Sequence, residues 1–557
     1  MNIHWIPRQP AEVPIGASPA PARDSPGQQD DAKRASSNAG RFLPVFGGYP
    51  QAILLILLAM VFFLGTAPWR ALQCGGDEGM EFSKMLLLLR HPELVHLAWN
   101  DQPWFYSQVF ASIFTLTGFQ PGIPRLATFL IVCGMLLGFR RLMPSEAGWL
   151  PLLCGWAFFW CWPGMPSLSV SAMLEVPAFG LAMIAAALSP RGRTEWRCWR
   201  FCCVGLLLAV AVQIKLTAAL VFPALVIKVA WVWWREIYRQ RKVESPDAGR
   251  LLNHWWLGPF LGVSVFGLVF GMIMWWSPDW DWSWLLGNHL AAAVTPQAEE
   301  HRFSPASLLE SPGTVVGAIL SFAVLGKQRR LSEAIFPVVL FGTVFLVHLN
   351  FHPWWSYYAV HFAVPLAILG GWGGGELFRQ MQMEAGASET ERRHFFSRNS
   401  SMMLGTLVIA LWTGFELPRG YAQTWEVSQH QPAAENDEIR VLEKYQSRTK
   451  WAFTRHNIMA AQAGYVLPPE LTVLPQKRFW TGAITEKSIL GVVKKYGCEV
   501  LILNSQIELA RKDWSSYVSE NYVRVWSGDY ESIFVARRLN PQPPPNKNEL
   551  LKKLGIY

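Results

Sequence analysis

The sequence predicts a mainly α-helical, polytopic membrane protein that ends in a smaller α/β domain. Hydrophobic residues make up 51% of the chain and charged residues only 16%, against about 25% charged residues in soluble domains. Apolar segments fill most of the chain up to residue 416, whereas short strand-like and helix-like patterns alternate from residue 417 onward. The 29 tryptophans suit membrane interfaces, where an amphipathic ring lies at the level of the lipid headgroups.

Apolar segments long enough to cross a bilayer recur along the chain and predict about eleven spans, at about 17–25 residues each. The segments are 49–67, 122–142, 147–164, 168–189, 199–215, 216–234, 254–276, 312–326, 332–350, 355–376 and 400–416. Lys215 interrupts the apolar stretch 199–234, so we count two spans there instead of one long helix.

The basic residues between these segments predict the orientation. They cluster in five connections, which are Arg140-Arg141, 190–200, 235–250, 327–330 and 379–398. All five lie in the cytoplasm if the N-terminus does, as the positive-inside bias requires. The C-terminal domain then lies outside the cytoplasm, in the periplasm if the membrane is the bacterial inner (plasma) membrane. Loop orientation and membrane lipids account for the net charge of +9, so no nucleic-acid partner is assigned.

The chain divides into four parts. Residues 1–45 are rich in Pro, Ala and Ser and predict a disordered cytoplasmic tail. Residues 46–416 form the transmembrane domain, and its first outer loop, 68–121, contains two stretches that we interpret as helices lying in the interface. Residues 417–540 form the extracytoplasmic α/β domain, and residues 541–557 form a polar tail. The strands predicted in the α/β domain are 450–454, 471–475, 499–503, 522–527 and 532–538.

Several acidic residues are candidates for chemistry near the outer face. Asp77 and Glu78 open the first outer loop, where they either cap a helix or supply a general base. Asp101, just before Gln102 and Pro103, reads by itself as a turn. Glu175 lies inside an otherwise apolar span, where an acid is costly, so it either snorkels to the interface or belongs to a functional site.

Two cations accompany these acids. Lys215 and Arg125 both lie at outer ends of predicted spans, where each either snorkels to the interface or holds a phosphate group. His352 and His361 flank an outer aromatic segment, which fits an interfacial belt better than a metal site. The sequence therefore assigns no cofactor, and it leaves a divalent metal open without indicating one.

The order of these pieces resembles the GT-C superfamily of membrane glycosyltransferases, nearest to its protein O-mannosyltransferase and lipid A aminoarabinose transferase branches. The matching elements are Asp77-Glu78, Asp101-Gln102-Pro103, Arg125-Leu126-Ala127, Glu175, the segment GLLLAVAVQIKLTAAL with Lys215, and the span YYAVHFAVPLAILGG. Many relatives carry Pro-Pro where this chain has Pro103-Trp104, and many carry Asp where it has Glu175. The resemblance covers most of residues 49–376.

This resemblance implies a fold, an activity and residue roles. The activity is inverting transfer of a sugar from a polyprenyl-phosphate donor to a glycan, lipid or protein acceptor. The implied roles are a catalytic base for Asp77, shaping of the site for Glu78, acceptor or sugar binding for Asp101, Gln102 and Glu175, donor-phosphate binding for Arg125 and Lys215, and a place near the donor for Tyr358 and His361.

Two other classes of protein also fit the membrane spans. The first is a transporter or flippase for a lipid-linked sugar, which predicts internal repeats and charges near the bilayer midplane. The sequence has no repeat, and its candidate charges lie near the outer face. The second is a non-catalytic envelope scaffold that presents the α/β domain, but such a protein has no need for Asp77, Glu175 and Lys215 on one side of the membrane.

Overall fold

The computed structural model describes residues 49–143, 149–192, 195–243, 256–277, 283–327, 329–385 and 395–540. The two predicted tails, 1–45 and 541–557, lie outside the described residues. The helices, in chain order, are α1 Tyr49–Thr66, α2 Glu78–Arg90, α3 Phe105–Thr117, α4 Gly122–Leu142, α5 Trp149–Cys161, α6 Met165–Leu168, α7 Glu175–Leu188, α8 Cys198–Ile214, α9 Phe222–Val243, α10 Leu257–Trp276, α11 Asn288–Ala293, α12 Pro296–Glu300, α13 Pro312–Lys327, α14 Ile335–Asn350, α15 Ala359–Ala385, α16 Phe395–Leu411, α17 Leu417–Ser428, α18 Asp437–Gln446, α19 Asn457–Gln462, α20 Gln476–Trp480, α21 Glu486–Tyr496 and α22 Lys512–Asn521.

Apolar helices dominate the first part of the chain, as expected of an integral membrane protein. Within the described residues, four helical stretches are long and apolar enough to cross a membrane, and a fifth is added if a pair bent by 73° forms one broken span. The four are Gly122–Leu142, Leu216–Tyr238, Leu257–Trp276 and Leu331–Asn350. Each of the eleven predicted segments contains a helix, but several of these helices are short, so the number of spans remains a prediction.

Glycines allow neighbouring helices to approach closely. A Cβ atom on Gly205 of α8 would lie 2.1 Å from the carbonyl oxygen of Gly262 in α10. A Cβ atom on Gly371 of α15 would lie 2.5 Å from the Cα atom of Gly155 in α5. Small residues at such crossings permit the backbone packing that holds helices together in lipid, where the hydrophobic effect between helices is weak.

Three of the five basic connections predicted from the sequence meet at one end of the helices. Arg191 donates a hydrogen bond of 2.7 Å to the carbonyl of Arg140, and Arg235 donates one of 2.9 Å to the carbonyl of Arg191. α4 begins close to Arg125 and ends at Arg140, while α7 begins at Glu175 and ends just before Arg191. The arginines therefore lie at the opposite ends of these two helices from Arg125 and Glu175.

The C-terminal region contains a four-stranded mixed sheet with the strand order β1-β2-β4-β3. Its strands are β1 Ala452–Thr454, β2 Val500–Asn504, β3 Tyr522–Ser527 and β4 Glu531–Ala536. β1 pairs with β2 in parallel, and β2 and β3 each pair with β4 in antiparallel register. A strand predicted at residues 471–475 is instead a short 3-10 turn and a loop. Pro469 and Pro475, which have no N–H to donate to a sheet, bracket this segment.

The first outer loop and the C-terminal region share one hydrophobic core. Leu87 of α2 and Trp104, just before α3, pack in the same cluster as Phe453 of β1, Leu501 of β2 and Trp514 of α22. The loop backbone is also joined to the chain before α18, because Leu72 N–H donates to the carbonyl of Gln431 at 2.9 Å. The C-terminal region is therefore packed as part of the structure that holds the first outer loop in place.

Gly79 allows this contact, and we expect Gly79→Ala to destabilise the folded protein. A Cβ atom there would lie 2.4 Å from the backbone nitrogen of Ile458 at the start of α19, and backbone atoms cannot move aside cheaply. Overpacking of this kind costs about 1–3 kcal/mol. The thermal unfolding midpoint of the purified chain measures it, with Gly76→Ala as the matched control because a Cβ atom on Gly76 meets nothing within 4 Å. Equal midpoints for the two variants would contradict the predicted contact.

Candidate active site

Polar side chains from both parts of the chain line one cavity of about 240 Å³. Its walls come from the start of α2, the turn before α3, the start of α7, the junction of α8 and α9, the segment before α15, and the loop that leads into α20. The lining residues are Asp77, Met80, Glu81, Lys84, Asn100, Asp101, Gln102, Met173, Leu174, Glu175, Lys215, Trp355, Tyr357, Val473, Leu474, Pro475, Gln476 and Lys477. Of the residues predicted from the sequence, Asp77, Asp101, Gln102, Glu175 and Lys215 thus meet in one place.

Asp77 occupies the N-cap position of α2, but its side chain does not cap the helix. Its backbone angles are φ −91° and ψ 1°, and its carboxylate makes no hydrogen bond to the first turn. The carboxylate lines the cavity instead. Of the two roles that the sequence left open for Asp77, helix capping by the side chain is therefore not the one observed.

Glu78 points away from the cavity and forms a buried ion pair with Arg125. Both side chains are fully buried. The guanidinium donates a hydrogen bond to each carboxylate oxygen, with Nε–Oε1 2.8 Å and Nη2–Oε2 2.7 Å. The same carboxylate accepts hydrogen bonds of 2.8 Å from the backbone N–H groups of Cys74 and Ala172. Glu78 thereby ties the first outer loop to α4 and to the turn before α7.

Arg125 is placed differently from the sequence prediction of a phosphate contact. Besides Glu78, its guanidinium donates to the carbonyl oxygens of Pro68 at 2.6 Å, Ala71 at 2.7 Å and Leu72 at 3.4 Å. These bonds engage all five N–H donors that a guanidinium has, and the residue is absent from the cavity wall. Arg125 therefore anchors the loop that carries Asp77.

Three of the four carboxylates in the cavity wall are paired with lysines. Their partners are Lys84 for Glu81 at 2.7 Å, Lys215 for Glu175, and Lys477 for Asp101. Glu81 also accepts a hydrogen bond of 3.0 Å from Ser107, and Asp101 lies 3.4 Å from Nε2 of His289. Buried or half-buried charges need such partners, because the loss of water is otherwise costly.

Asp77 is the exception among these carboxylates. In the part of the chain that the structure describes, no salt bridge includes Asp77. Its carboxylate neighbours the hydroxyl group of Tyr357, and it interacts electrostatically with Lys215 and Lys477. A carboxylate that faces a cavity, with cations nearby but none bound to it, is free to accept a proton from a ligand.

Tyr358 and His361 lie in a second layer behind Lys215. The Lys215 ammonium is 5.2 Å from the ring centroid of Tyr357 and 5.7 Å from that of Tyr358. Tyr358 stacks in turn on His361, and Nδ1 of His361 lies 3.0 Å from Nε2 of His348. The predicted donor-site pair therefore adjoins the cavity through Lys215, while Tyr357 forms the wall itself.

Two residues beside the cavity have strongly shifted pKa values. Burial lowers the pKa of Lys477 to about 7, with the negative charge of Asp77 acting against it and the positive charge of Lys84 reinforcing it. Burial also lowers the pKa of His289 to about 4, and the charge of Lys215 adds to the effect. At neutral pH His289 is therefore uncharged beside Asp101.

Sequence reasoning missed several residues of the cavity. Glu81 and Lys84 lie three residues apart on α2, and that spacing is a signal for a helical ion pair. Tyr357 is adjacent to the predicted Tyr358. Lys477 carried no signal in the sequence. Among the described residues, no group of three or more His, Cys, Asp or Glu side chains is arranged to hold a metal ion.

The fold is similar to solved structures of ArnT. The chain matches ArnT from Cupriavidus metallidurans in the apo state with a TM-score of 0.56 and 13% identity, over 89% of this chain and 99% of that one. The match to the same protein bound to undecaprenyl phosphate has a TM-score of 0.55 and 13% identity, over 90% and 100% of the two chains. The predicted resemblance to a GT-C protein is thereby confirmed at the level of the fold. No protein-family model matches the sequence, and no curated protein sequence matches it significantly.

Proposed function

We propose that this protein is an integral membrane glycosyltransferase that moves a sugar from a polyprenyl-phosphate donor to a hydroxyl or amine group of an extracytoplasmic acceptor, with inversion. The observation that carries the proposal is the arrangement around Asp77, a carboxylate outside the salt bridges of a polar cavity that also holds Lys215 and Lys477. The shared fold with a protein solved with undecaprenyl phosphate supports the class of donor.

The reaction uses the groups of the cavity in the following way. Asp77 takes the proton of the acceptor hydroxyl as its oxygen forms a bond to the anomeric carbon of the sugar. The bond between that carbon and the phosphate oxygen breaks on the opposite face, and polyprenyl phosphate leaves with the electron pair. Lys215 stabilises the negative charge that develops on the phosphate, since a cation fixed in a partly dehydrated site acts strongly on developing charge.

The remaining wall residues bind the sugar and the acceptor in this proposal. Glu175, Asp101 and Gln102 offer hydrogen-bond acceptors and donors of the kind that recognise sugar hydroxyl groups. Tyr358 and His361 support the donor side through the packing of Tyr358 against Lys215. The acceptor is a glycan, a lipid or a protein.

We also propose the orientation predicted from the loop charges. The arginine cluster around Arg191 lies at the opposite ends of α4 and α7 from the cavity. If that cluster lies in the cytoplasm, the cavity and the C-terminal region lie outside, in the periplasm of a bacterium with this protein in its inner membrane. A lipid-linked donor would then be used at the outer face.

The direct test is release of polyprenyl phosphate. Purified protein in lipid nanodiscs is incubated with a polyprenyl-phosphate sugar and an acceptor fraction from membranes of a strain that lacks the protein. We expect labelled sugar in the acceptor fraction and an equal amount of free polyprenyl phosphate. In a parallel assay with the protein in sealed vesicles, movement of intact donor across the bilayer without cleavage would instead indicate a flippase. If neither transfer nor transport occurs, the scaffold becomes the better hypothesis.

A further inference from the structure

The C-terminal region supplies one wall of the cavity through residues 473–477, which comprise the end of a loop and the start of α20. Val473, Leu474 and Lys477 all line the cavity. Two contacts fix this segment. Arg478 donates to the carbonyl of Val473 at 2.7 Å, and Leu474 packs against the core shared with the first outer loop. Lys477 is therefore a fixed part of the wall, with its position set by the fold of the C-terminal region.

Lys477 is the most accessible of the three lysines in the wall. The exposed fraction of its side chain is 13%, against 8% for Lys215 and 1% for Lys84. Lys215 is also held over the rings of Tyr357 and Tyr358. Of the three lysines, Lys477 thus has the least enclosed side chain.

Asp101, the partner of Lys477, has other donors available. Nε2 of His289 and Nε2 of Gln102 each lie 3.4 Å from its Oδ2 atom. A buried carboxylate that loses every partner is strongly disfavoured, but these two groups would remain if the ammonium group turned toward a ligand. Asp101 therefore keeps two possible hydrogen-bond donors when Lys477 turns toward a ligand.

The balance of charges in the cavity indicates that a lysine must leave its carboxylate partner when a phosphate group binds. Four carboxylates and three ammonium groups line it, so the site is not positive before a ligand enters. A phosphate group brings further negative charge, and this charge grows as the phosphate leaves the sugar. Since each lysine already has a carboxylate partner, at least one must change partner for the phosphate to bind well.

From these observations we propose that Lys477 is a donor-phosphate-binding residue, which exchanges its contact with Asp101 for a contact with a phosphate oxygen when the donor enters. This inference rests on the proposed function. It makes the C-terminal region part of the active site: the region contributes a cation on one side of the phosphate while Lys215 contributes one on the other. Asp77, which interacts with both lysines, then lies beside the bond that breaks.

The test is binding of undecaprenyl phosphate to the full-length protein, without turnover. We expect Lys477→Met to weaken binding by about 10–100-fold, since a charge-assisted hydrogen bond is worth about 1.5–3 kcal/mol and each 1.4 kcal/mol is about tenfold. Lys477→Arg should retain most of the affinity. Lys487→Met is the matched control, because Lys487 is an exposed lysine of the same region on α21, outside the cavity wall.

A second variant distinguishes a loss of binding from a loss of folding stability. Lys477→Met leaves Asp101 without its lysine, so the double variant Asp101→Asn/Lys477→Met should restore the unfolding midpoint while binding stays weak. Recovery of both stability and wild-type affinity in the double variant would overturn the proposal. So would wild-type affinity in Lys477→Met itself. Failure of the wild-type protein to bind undecaprenyl phosphate would overturn the proposed function as well, so the two failures are distinguishable.

The pH profile separates a binding role from a structural one. Lys477 faces Asp101, Asp77, Lys84 and His289, and burial lowers its pKa to about 7. An ammonium group whose pKa is lowered is charged below that pKa and neutral above it, so affinity in the wild-type protein should fall as the pH rises through about 7 to 9. Lys477→Arg keeps its charge at this position, so its affinity should decline less over this pH range than that of the wild-type protein. Parallel profiles for the two proteins would overturn the proposal.

Discussion

Replacement of Asp77 by Asn is expected to lower the rate of sugar transfer by about 10²–10⁴-fold, the range that a positioned general base contributes. The substitution preserves the shape of the side chain but removes its negative charge and its ability to take a proton. Because Asp77 belongs to no salt bridge of the cavity, the change leaves no cation unpaired. The loss should therefore appear in kcat, while the affinity for undecaprenyl phosphate and the unfolding midpoint stay close to their wild-type values.

This separation makes Asp77 more informative than its neighbours in the wall. Glu175→Gln or Asp101→Asn would each leave a lysine without its carboxylate, so lower activity could arise from a disturbed site. Asp529→Asn, an exposed and isosteric change in the turn between β3 and β4, is the control for the substitution itself. Full transfer activity in Asp77→Asn would remove Asp77 as the base and, with it, the observation on which the proposed function depends.

Much of the membrane region could be predicted from the sequence, because its signals are local. Apolar length predicts a helix at each of the eleven segments, and Lys215 marks the break that separates α8 from the next helical stretch. Glu175 and Lys215 were each visible as a charge near the end of an apolar segment on the predicted outer side, and Asp77 was visible as a charge in the first outer loop. Ends of neighbouring helices meet, so these charges converge in one cavity.

The sequence could not distinguish a cation that lines the cavity from one that anchors a loop. Arg125 and Lys215 look alike in the sequence, as single cations at the outer ends of apolar segments. What separates them is long-range: the carbonyl oxygens of Pro68, Ala71 and Leu72 converge on the guanidinium of Arg125. Such convergence depends on the path of a whole loop, which no local pattern records.

The place of Lys477 in the cavity wall could not be predicted from the sequence for a related reason. It follows a proline-containing loop that the alternating pattern suggested was a strand, and it is far from Asp101 in the sequence. Its position results from the hydrophobic core that Leu87 and Trp104 share with the C-terminal sheet. A core that joins two distant parts of a chain is set by tertiary packing, so the contribution of the C-terminal region to the cavity emerged only in the folded structure.

The second large effect is expected on the folding free energy, when the Glu78–Arg125 ion pair that anchors the first outer loop is broken. Removing either charge of the Glu78–Arg125 pair is expected to cost about 3–5 kcal/mol of folding free energy, because the other charge remains buried without its partner. Arg125→Met also removes one donor from each of three backbone carbonyl groups, those of Pro68, Ala71 and Leu72. Denaturant unfolding of the purified protein measures the loss. Arg440→Met is the matched control: Arg440 and Asp437 form an exposed ion pair, whose loss should cost at most about 1 kcal/mol.

This prediction also decides between the two roles of Arg125. If Arg125 is an anchor, Glu78→Gln and Arg125→Met should be similarly unstable, and transfer activity should fall in both because the loop that carries Asp77 loses its attachment to α4. If Arg125 instead binds the donor phosphate, Arg125→Met should retain wild-type stability and lose affinity for undecaprenyl phosphate, while Glu78→Gln should not. The double variant Glu78→Gln/Arg125→Met sharpens the distinction, since removing both charges should recover part of the stability lost in either single variant.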